Sequence, residues 1–336
     1  MDSLSQIALG SAVGVAVMGR RTALWKAALA GAVFGTLPDL DVVIDHGDPI
    51  RNMTFHRAES HALFYLTLLS PLFAWLTAKL LGELQQLKRW WLAIWLILIT
   101  HALLDFLTVY GTQLALPFTA TPFGLGSIFI IDPLYTLPLL IGLISALILG
   151  RPGGLRWNTL GLGLSTLYLL WGMGAQQYVE HVAENVLAAE QQEAEQVLVT
   201  ATAFNTLLWR VLVITEDDYL EGFYSLLDKD ALIHFRRYPR GIELLDAVQG
   251  NWEAERIRWF TRGFYKLSEV DDQLIISDLR MGQEPHYSFN FVLAERVNDQ
   301  WAFVTPTQKN ESPDLNLALN WLWQRMWGEP VSPPWL

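Results

Sequence analysis

The chain has 336 residues, no cysteine, 52% hydrophobic residues and a formal net charge of −11. This length leaves room for two domains, the missing cysteine excludes a disulfide framework and cysteine-ligated zinc, and the acidic balance argues against nucleic acid, whose affinity rests on Lys/Arg neutralising phosphates. Charge is unevenly spread: residues 1–175 carry ten Lys/Arg and nine Asp/Glu, whereas 176–336 carry thirteen and twenty-five, so a membrane-like composition precedes a soluble acidic one.

In chain order, Leu4 to Met18 and Ala23 to Leu37 are apolar runs of about fifteen residues, short of the roughly 20 that a perpendicular span wants. Gly10 with Gly14, and Ala27 with Gly31 and Gly35, repeat at helix-face spacing and predict a tight helical hairpin. The first run ends in Gly19-Arg20-Arg21 rather than a small-residue cleavage site, so the expectation is a retained segment and not a signal peptide. His61 to Leu81, Trp90 to Leu107, Ile128 to Leu149 and Trp157 to Ala175 follow, each near the length that crosses a hydrocarbon core. The expectation is thus an α-helical polytopic membrane domain of about six helices over residues 1–175. Basic residues cluster in the odd connections, Arg20, Arg21 and Lys26, then Lys79, Lys88 and Arg89, then Arg151 and Arg156. These connections are expected to be cytoplasmic in an inner membrane, with the N-terminus, the 38–60 and 109–127 loops and everything after Ala175 on the other side.

Residues 176–200 read as a connecting helix rich in Ala, Glu and Gln. From residue 201 to 336 a smaller soluble, mainly β domain is expected, an α+β unit with strands at Leu207 to Ile214, Tyr219 to Leu227, Ala231 to Phe235, Ile257 to Leu267, Gln273 to Leu279, Tyr287 to Glu295 and Trp301 to Pro306. Leu315 to Trp327 reads as a closing helix.

Chemistry concentrates before residue 110. His101 and Asp105 are four apart on a membrane helix, which puts both on one face, and ionisable groups inside such a helix point to a functional site. Measured from Trp90, they lie about 16 Å and 22 Å along the axis, toward the same side as His61 at the start of the next span and Asp39 at the end of the hairpin. Asp39 and Asp41 follow the helix-ending Pro38, spaced to serve one ion from extended chain. His56 sits in the loop before His61. Arg57 suits a phosphate, because its guanidinium forks onto two oxygens, or pairs with Glu59 or Asp41. Asp45, His46 and Asp48 read as solvated loop, Asp132-Pro133 as a helix start, and His181, His234 and His286 as ordinary histidines.

Three motifs, Leu37-Pro38-Asp39-Leu40-Asp41, His56-Arg57-Ala58-Glu59-Ser60-His61 and His101-Ala102-Leu103-Leu104-Asp105-Phe106-Leu107-Thr108, resemble those of the family of membrane-bound metal-dependent hydrolases typified by the inner-membrane protein YdjM, described as LexA-binding and phospholipase-like. The resemblance covers roughly residues 1–150. Relatives often carry a His near Gln6, and Gln6 is left out of the ligand set. The expectation is a membrane hydrolase whose Asp39, Asp41, His56, His61, His101 and Asp105 hold one or two divalent ions, zinc favoured by N/O ligands and manganese the alternative. Asp39, Asp41 and Arg57 would serve catalysis on an ester or phosphoester of a lipid or lipid-linked substrate. Two alternatives remain: a metal-ion or proton transporter, and a structural or regulatory membrane protein with a structural metal and an acidic partner-binding domain.

Overall fold

A computed structural model describes residues 1–309 and 313–335. Two compact units emerge: one of residues 1–44, 56–173 and 203–205, the other of 45–55, 174–202 and 206–336.

The first unit is helical. Helix α1 (Ser3–Met18) and α2 (Leu24–Thr36) form the hairpin, a 3-10 turn spans Pro38–Val43, and after α3 (Pro49–Phe55), which belongs to the second unit, come α4 (Leu63–Leu80), α5 (Leu87–Phe106), α6 (Pro133–Leu149) and α7 (Gly153–Ala189). Small residues explain the hairpin: a Cβ on Gly31 would sit 2.2 Å from the Gly10 carbonyl oxygen, and one on Gly14 would sit 2.4 Å from that of Ala27. Only glycine lets these backbones touch. Helix α1 packs on α2, α5 and α6, so its Ala8, Ala12 and Val15 are fully buried. Asp132 caps α6 as expected, accepting from Leu134 N at 2.9 Å and from Tyr168 Oη at 2.8 Å. Glu83, which the sequence did not single out, ties the connections together by accepting from Thr22, Lys26 and Trp90.

Helices form at all six expected places, but the count of about six spans is corrected. Among the described residues two helices, Leu63–Leu80 and Leu84–Phe106, are long and apolar enough to cross a membrane. The 13 residues of α2 and the 16 of α1 are too few, α6 has 17, and Asn158, Thr159, Ser165 and Thr166 dilute α7. The outward faces are nevertheless apolar, with Leu68, Leu72 and Leu76 on α4 and Leu137, Ile141 and Ile144 on α6 exposed, as suits contact with lipid.

Helix α7 passes from the first unit into the second at Met173/Gly174. The second unit adds two antiparallel four-stranded sheets. The first runs in the order β1 (Gln196–Ala201), β2 (Leu208–Ile214), β3 (Asp218–Ser225), β4 (Arg236–Pro239). After α8 (Trp252–Phe260), the second sheet comprises β5 (Tyr265–Val270), β6 (Gln273–Asp278), β9 (Asn290–Val297) and β10 (Gln300–Gln308) in the order β10-β9-β6-β5, with a small β7 (Gly282–Gln283) and β8 (His286–Tyr287) ribbon and α9 (Leu315–Met326). Strand β2 is buried on both faces: Trp209, Val211 and Val213 pack with Val179, Val182 and Ala183 of α7, while Leu212 and Ile214 join Phe264 and Leu279.

Three expectations change here, one of a helix and two of strands. The connecting helix stops at Ala189 and the β-branched Gln196–Ala201 pairs with β2. Ile257 to Leu267 is half helix, because Asn251 caps Ala254 N at 2.8 Å and Ala254, Ile257 and Phe260 bury one face at a period of three. Ala231 to Phe235 is irregular, with the strand beginning at Arg236.

Candidate metal centre

Three segments of the first unit deliver four ligands to one point. Pro38 ends α2 and starts the 3-10 turn that carries Asp39 and Asp41; a second such turn, Glu59–His61, presents His61 just ahead of α4; α5 presents His101 and Asp105 on one face. One ligand atom from each of Asp39, His61, His101 and Asp105 lies within 4.8 Å of the others. His61 Nε2 is 3.1 Å from His101 Nε2, 3.1 Å from Asp105 Oδ2 and 3.3 Å from Asp39 Oδ1. His101 Nε2 is 3.4 Å from Asp105 Oδ2 and 3.6 Å from Asp39 Oδ1. Ligands about 2.0–2.1 Å from a tetrahedral ion stand about 3.3–3.4 Å apart, so the observed separations fit a small divalent cation.

The rings are turned for that purpose. His101 Nδ1 donates to the Gly35 carbonyl at 2.8 Å. Ser60 Oγ donates to Asp41 Oδ2 and therefore accepts from His61 Nδ1, 2.8 Å away. Both Nε2 atoms are left with lone pairs facing the centre, the form that binds metal. Asp105 Oδ2 is buried without a hydrogen bond among the described residues, an orphan that a cation would satisfy.

The surroundings hold this set in place. Arg57 is buried, with Nη2 3.2 Å from Asp105 Oδ1, Nη1 donating to Thr108 Oγ1 at 3.3 Å and the guanidinium over the Tyr110 ring. Its φ of 61° is a left-handed conformation that costs a non-glycine residue about 1 kcal/mol or more; the turn aims Arg57 N at Asp41 Oδ2, 3.0 Å away. Gln6 Nε2 donates to Asp105 Oδ1 at 3.2 Å, and the Met1 amino group pairs with the same oxygen. Burial would raise the Asp39 carboxyl, but whenever the His101 and His61 rings take up a second proton, their hydrogen bonds to it hold it well below the ordinary carboxylate range. Burial likewise opposes ionisation of Asp41, and the His56 hydrogen bond and charge keep its pKa lowered. Burial disfavours the His61 cation, yet Asp105 and Asp39 raise its pKa; the same carboxylates thus stabilise a proton or a metal, and the two compete.

Six residues were expected as ligands and four converge. The other two are paired beside the centre, His56 Nδ1 with Asp41 Oδ1 at 2.7 Å. Arg57, expected on a phosphate or on Glu59 or Asp41, turns its side chain to Asp105 and only its backbone to Asp41. Gln6 stands outside the ligand set as a donor; a lone amide in an apolar helix was the signal for it. Ser60 and the Gly35 carbonyl were missed, since neither residue type announces itself. Asp45 and Asp48 belong to the second unit, where they accept from Gly47 N and Arg51 N.

A helical unit with spanning-length apolar helices and a buried His and Asp centre defines the class, a membrane protein with a group that could bind a metal ion. The chain belongs to the YdjM inner membrane protein family, whose description matches residues 1–179. No curated protein and no solved structure matches the chain.

Proposed function

We propose that the chain is a membrane-bound, metal-dependent hydrolase of an ester or phosphoester in a lipid or lipid-linked substrate. The observation that supports it is the convergence of His61, His101, Asp105 and Asp39, with both imidazoles already oriented. A divalent cation, zinc or manganese, would supply Lewis acidity there, acidifying water and polarising an ester or phosphoryl oxygen. His61, His101 and Asp105 are fully buried and would be its holders; Asp39, half-buried at the open edge, is placed to complete the set or to take a proton from water. Arg57 pins Asp105 Oδ1 and leaves Oδ2 to the centre. Asp41, engaged by His56, Ser60 and Arg57 N, orients rather than reacts. A lipid substrate is supported by the rim: Leu40, Val42, Val43 and Ile44 all stand exposed around Asp41. For sidedness, Arg20, Arg21, Arg89, Arg151 and Arg156 of the odd connections line one cavity, which supports a common cytoplasmic end and a centre facing the other leaflet.

Four protein ligands also suit a closed structural site, the second reading. Full-length protein in lipid nanodiscs, offered phospholipid and lipid-phosphate esters, separates the two. Turnover abolished by chelator, restored by zinc or manganese and absent in His101→Ala supports the hydrolase. Stoichiometric metal without turnover of any ester or phosphoester offered would leave the structural reading.

A further inference from the structure

A cavity of about 1210 Å³ opens in the first unit among α1, α5 and α7, near Arg89, which lies about 18 Å along α5 from His101. Its polar part is built from Arg20, Arg21, Arg89, Arg151 and Arg156, drawn from the α1–α2 and α6–α7 connections and the first turns of α5 and α7, and among the described residues no Asp or Glu lines it. Arg151 donates to the Thr22 carbonyl, which fixes it at the rim. Apart from Thr159 the remainder of the lining is apolar, including Ala16 and Val17 from α1, and Leu160, Leu164 and Leu167 from α7. These leucines recur at i, i+4 and i+7, one stripe on one helix face, about 10 Å long. All three are about half exposed or more. Gly163, also in the lining, leaves open space beside the stripe, since a Cβ there would meet nothing within 4 Å.

We propose that this cavity is a binding site for an anionic phospholipid, its phosphate among the arginines and the start of an acyl chain along the α7 stripe. Charge complementarity selects the headgroup: five guanidinium groups with no neutralising carboxylate among the described residues favour a phosphate that carries no amine of its own. A free phosphate would use the arginines and leave the leucine stripe idle, whereas the lipid uses both. The site stands on this cavity alone and is independent of the metal centre.

Native mass spectrometry of the full chain, released from detergent after addition of phosphatidylglycerol or phosphatidylcholine, tests it. Wild type is expected to retain phosphatidylglycerol about 10-fold or more better than phosphatidylcholine. The double variant Arg20→Ala/Arg156→Ala should lose that preference. Gly163→Phe, which projects a ring into the groove instead of into backbone, should lose the phosphatidylglycerol yet leave binding of inorganic phosphate unchanged. Helical circular dichroism identifies any variant that fails to fold, in which case the wild-type preference alone decides. Equal retention of the two lipids by wild type would overturn the site. So would full displacement of phosphatidylglycerol by equimolar inorganic phosphate, which would mark a free-phosphate site, or an unchanged lipid preference in folded Gly163→Phe, which would mark a belt of surface charge.

Discussion

His61 and His101 point their Nε2 atoms at each other across 3.1 Å, and neither has a proton to spare, since each Nδ1 is already committed to another oxygen, Ser60 Oγ or the Gly35 carbonyl. Two lone pairs held this close repel unless a cation or an added proton lies between them. The oxygens that turn the rings therefore matter as much as the rings.

Ser60→Ala tests that orientation. It removes the acceptor of His61 Nδ1–H and frees the ring to adopt its other tautomer. Zinc affinity, read by competition with a chromophoric chelator, should fall about 10-fold, the lower end of what the loss of an orienting partner causes. An unchanged affinity would show that Ser60 does not set the tautomer.

The split between ligands and their neighbours gives a second prediction. His56 is bonded to Asp41 and lies outside the four-atom group, so His56→Ala should keep most of the metal while His61→Ala loses it. Equal loss in both would place His56 in the coordination set and favour a second ion.

How far the sequence reveals this site depends on whether the backbone between the residues is regular. His101 and Asp105 are readable because a helix fixes where i and i+4 point. Asp39 and His61 were readable as types delivered to one end of the bundle, but Asp41 and His56, in irregular chain, were read as ligands too, because sequence spacing there does not reveal that they pair with each other beside the centre. The α1–α2 hairpin followed from glycine spacing. The number of spanning helices did not follow, because a buried helix such as α1 is as apolar as one facing lipid. In the second unit β2 was legible from an apolar run interrupted only by Arg210, whereas α8 was hidden by aromatic and β-branched residues that suit strands equally well.

Gly31 links the fold to the site. Its approach to Gly10 positions the C-terminal end of α2, where Gly35 accepts from His101. Gly31→Ala should cost about 1–3 kcal/mol through overpacking and lower the unfolding midpoint by about 5 °C, with zinc affinity falling too. Gly174→Ala, where a Cβ meets nothing within 4 Å, is the control and should not lower it. Thermal unfolding of both in the same detergent checks this; equal midpoints for the two variants would contradict the close-contact account.

Asp132 provides a pH dependence. Burial raises its carboxyl to about 6, above the unfolded value, so the folded state binds the extra proton between roughly pH 4 and 6. Stability from this group is present at low pH and lost as pH rises through about 6, where the charged form costs about 3 kcal/mol. Asp132→Asn keeps an N-cap residue and removes the charge. It should therefore raise the unfolding midpoint at pH 8 and change it little near pH 3, below both values. A lower midpoint at pH 8 would show that the cap needs the carboxylate.

The most direct test of the central claim is the metal content of detergent-purified full-length protein, prepared without chelator, in wild type and in His61→Ala, His101→Ala and Asp105→Asn, followed by titration with zinc and manganese. Wild type should carry about one divalent ion per chain, each variant should bind at least about 10-fold more weakly, and His234→Ala should match wild type. A metal-free wild type whose affinity for either ion is no better than that of these variants would contradict the metal centre and the hydrolase built on it.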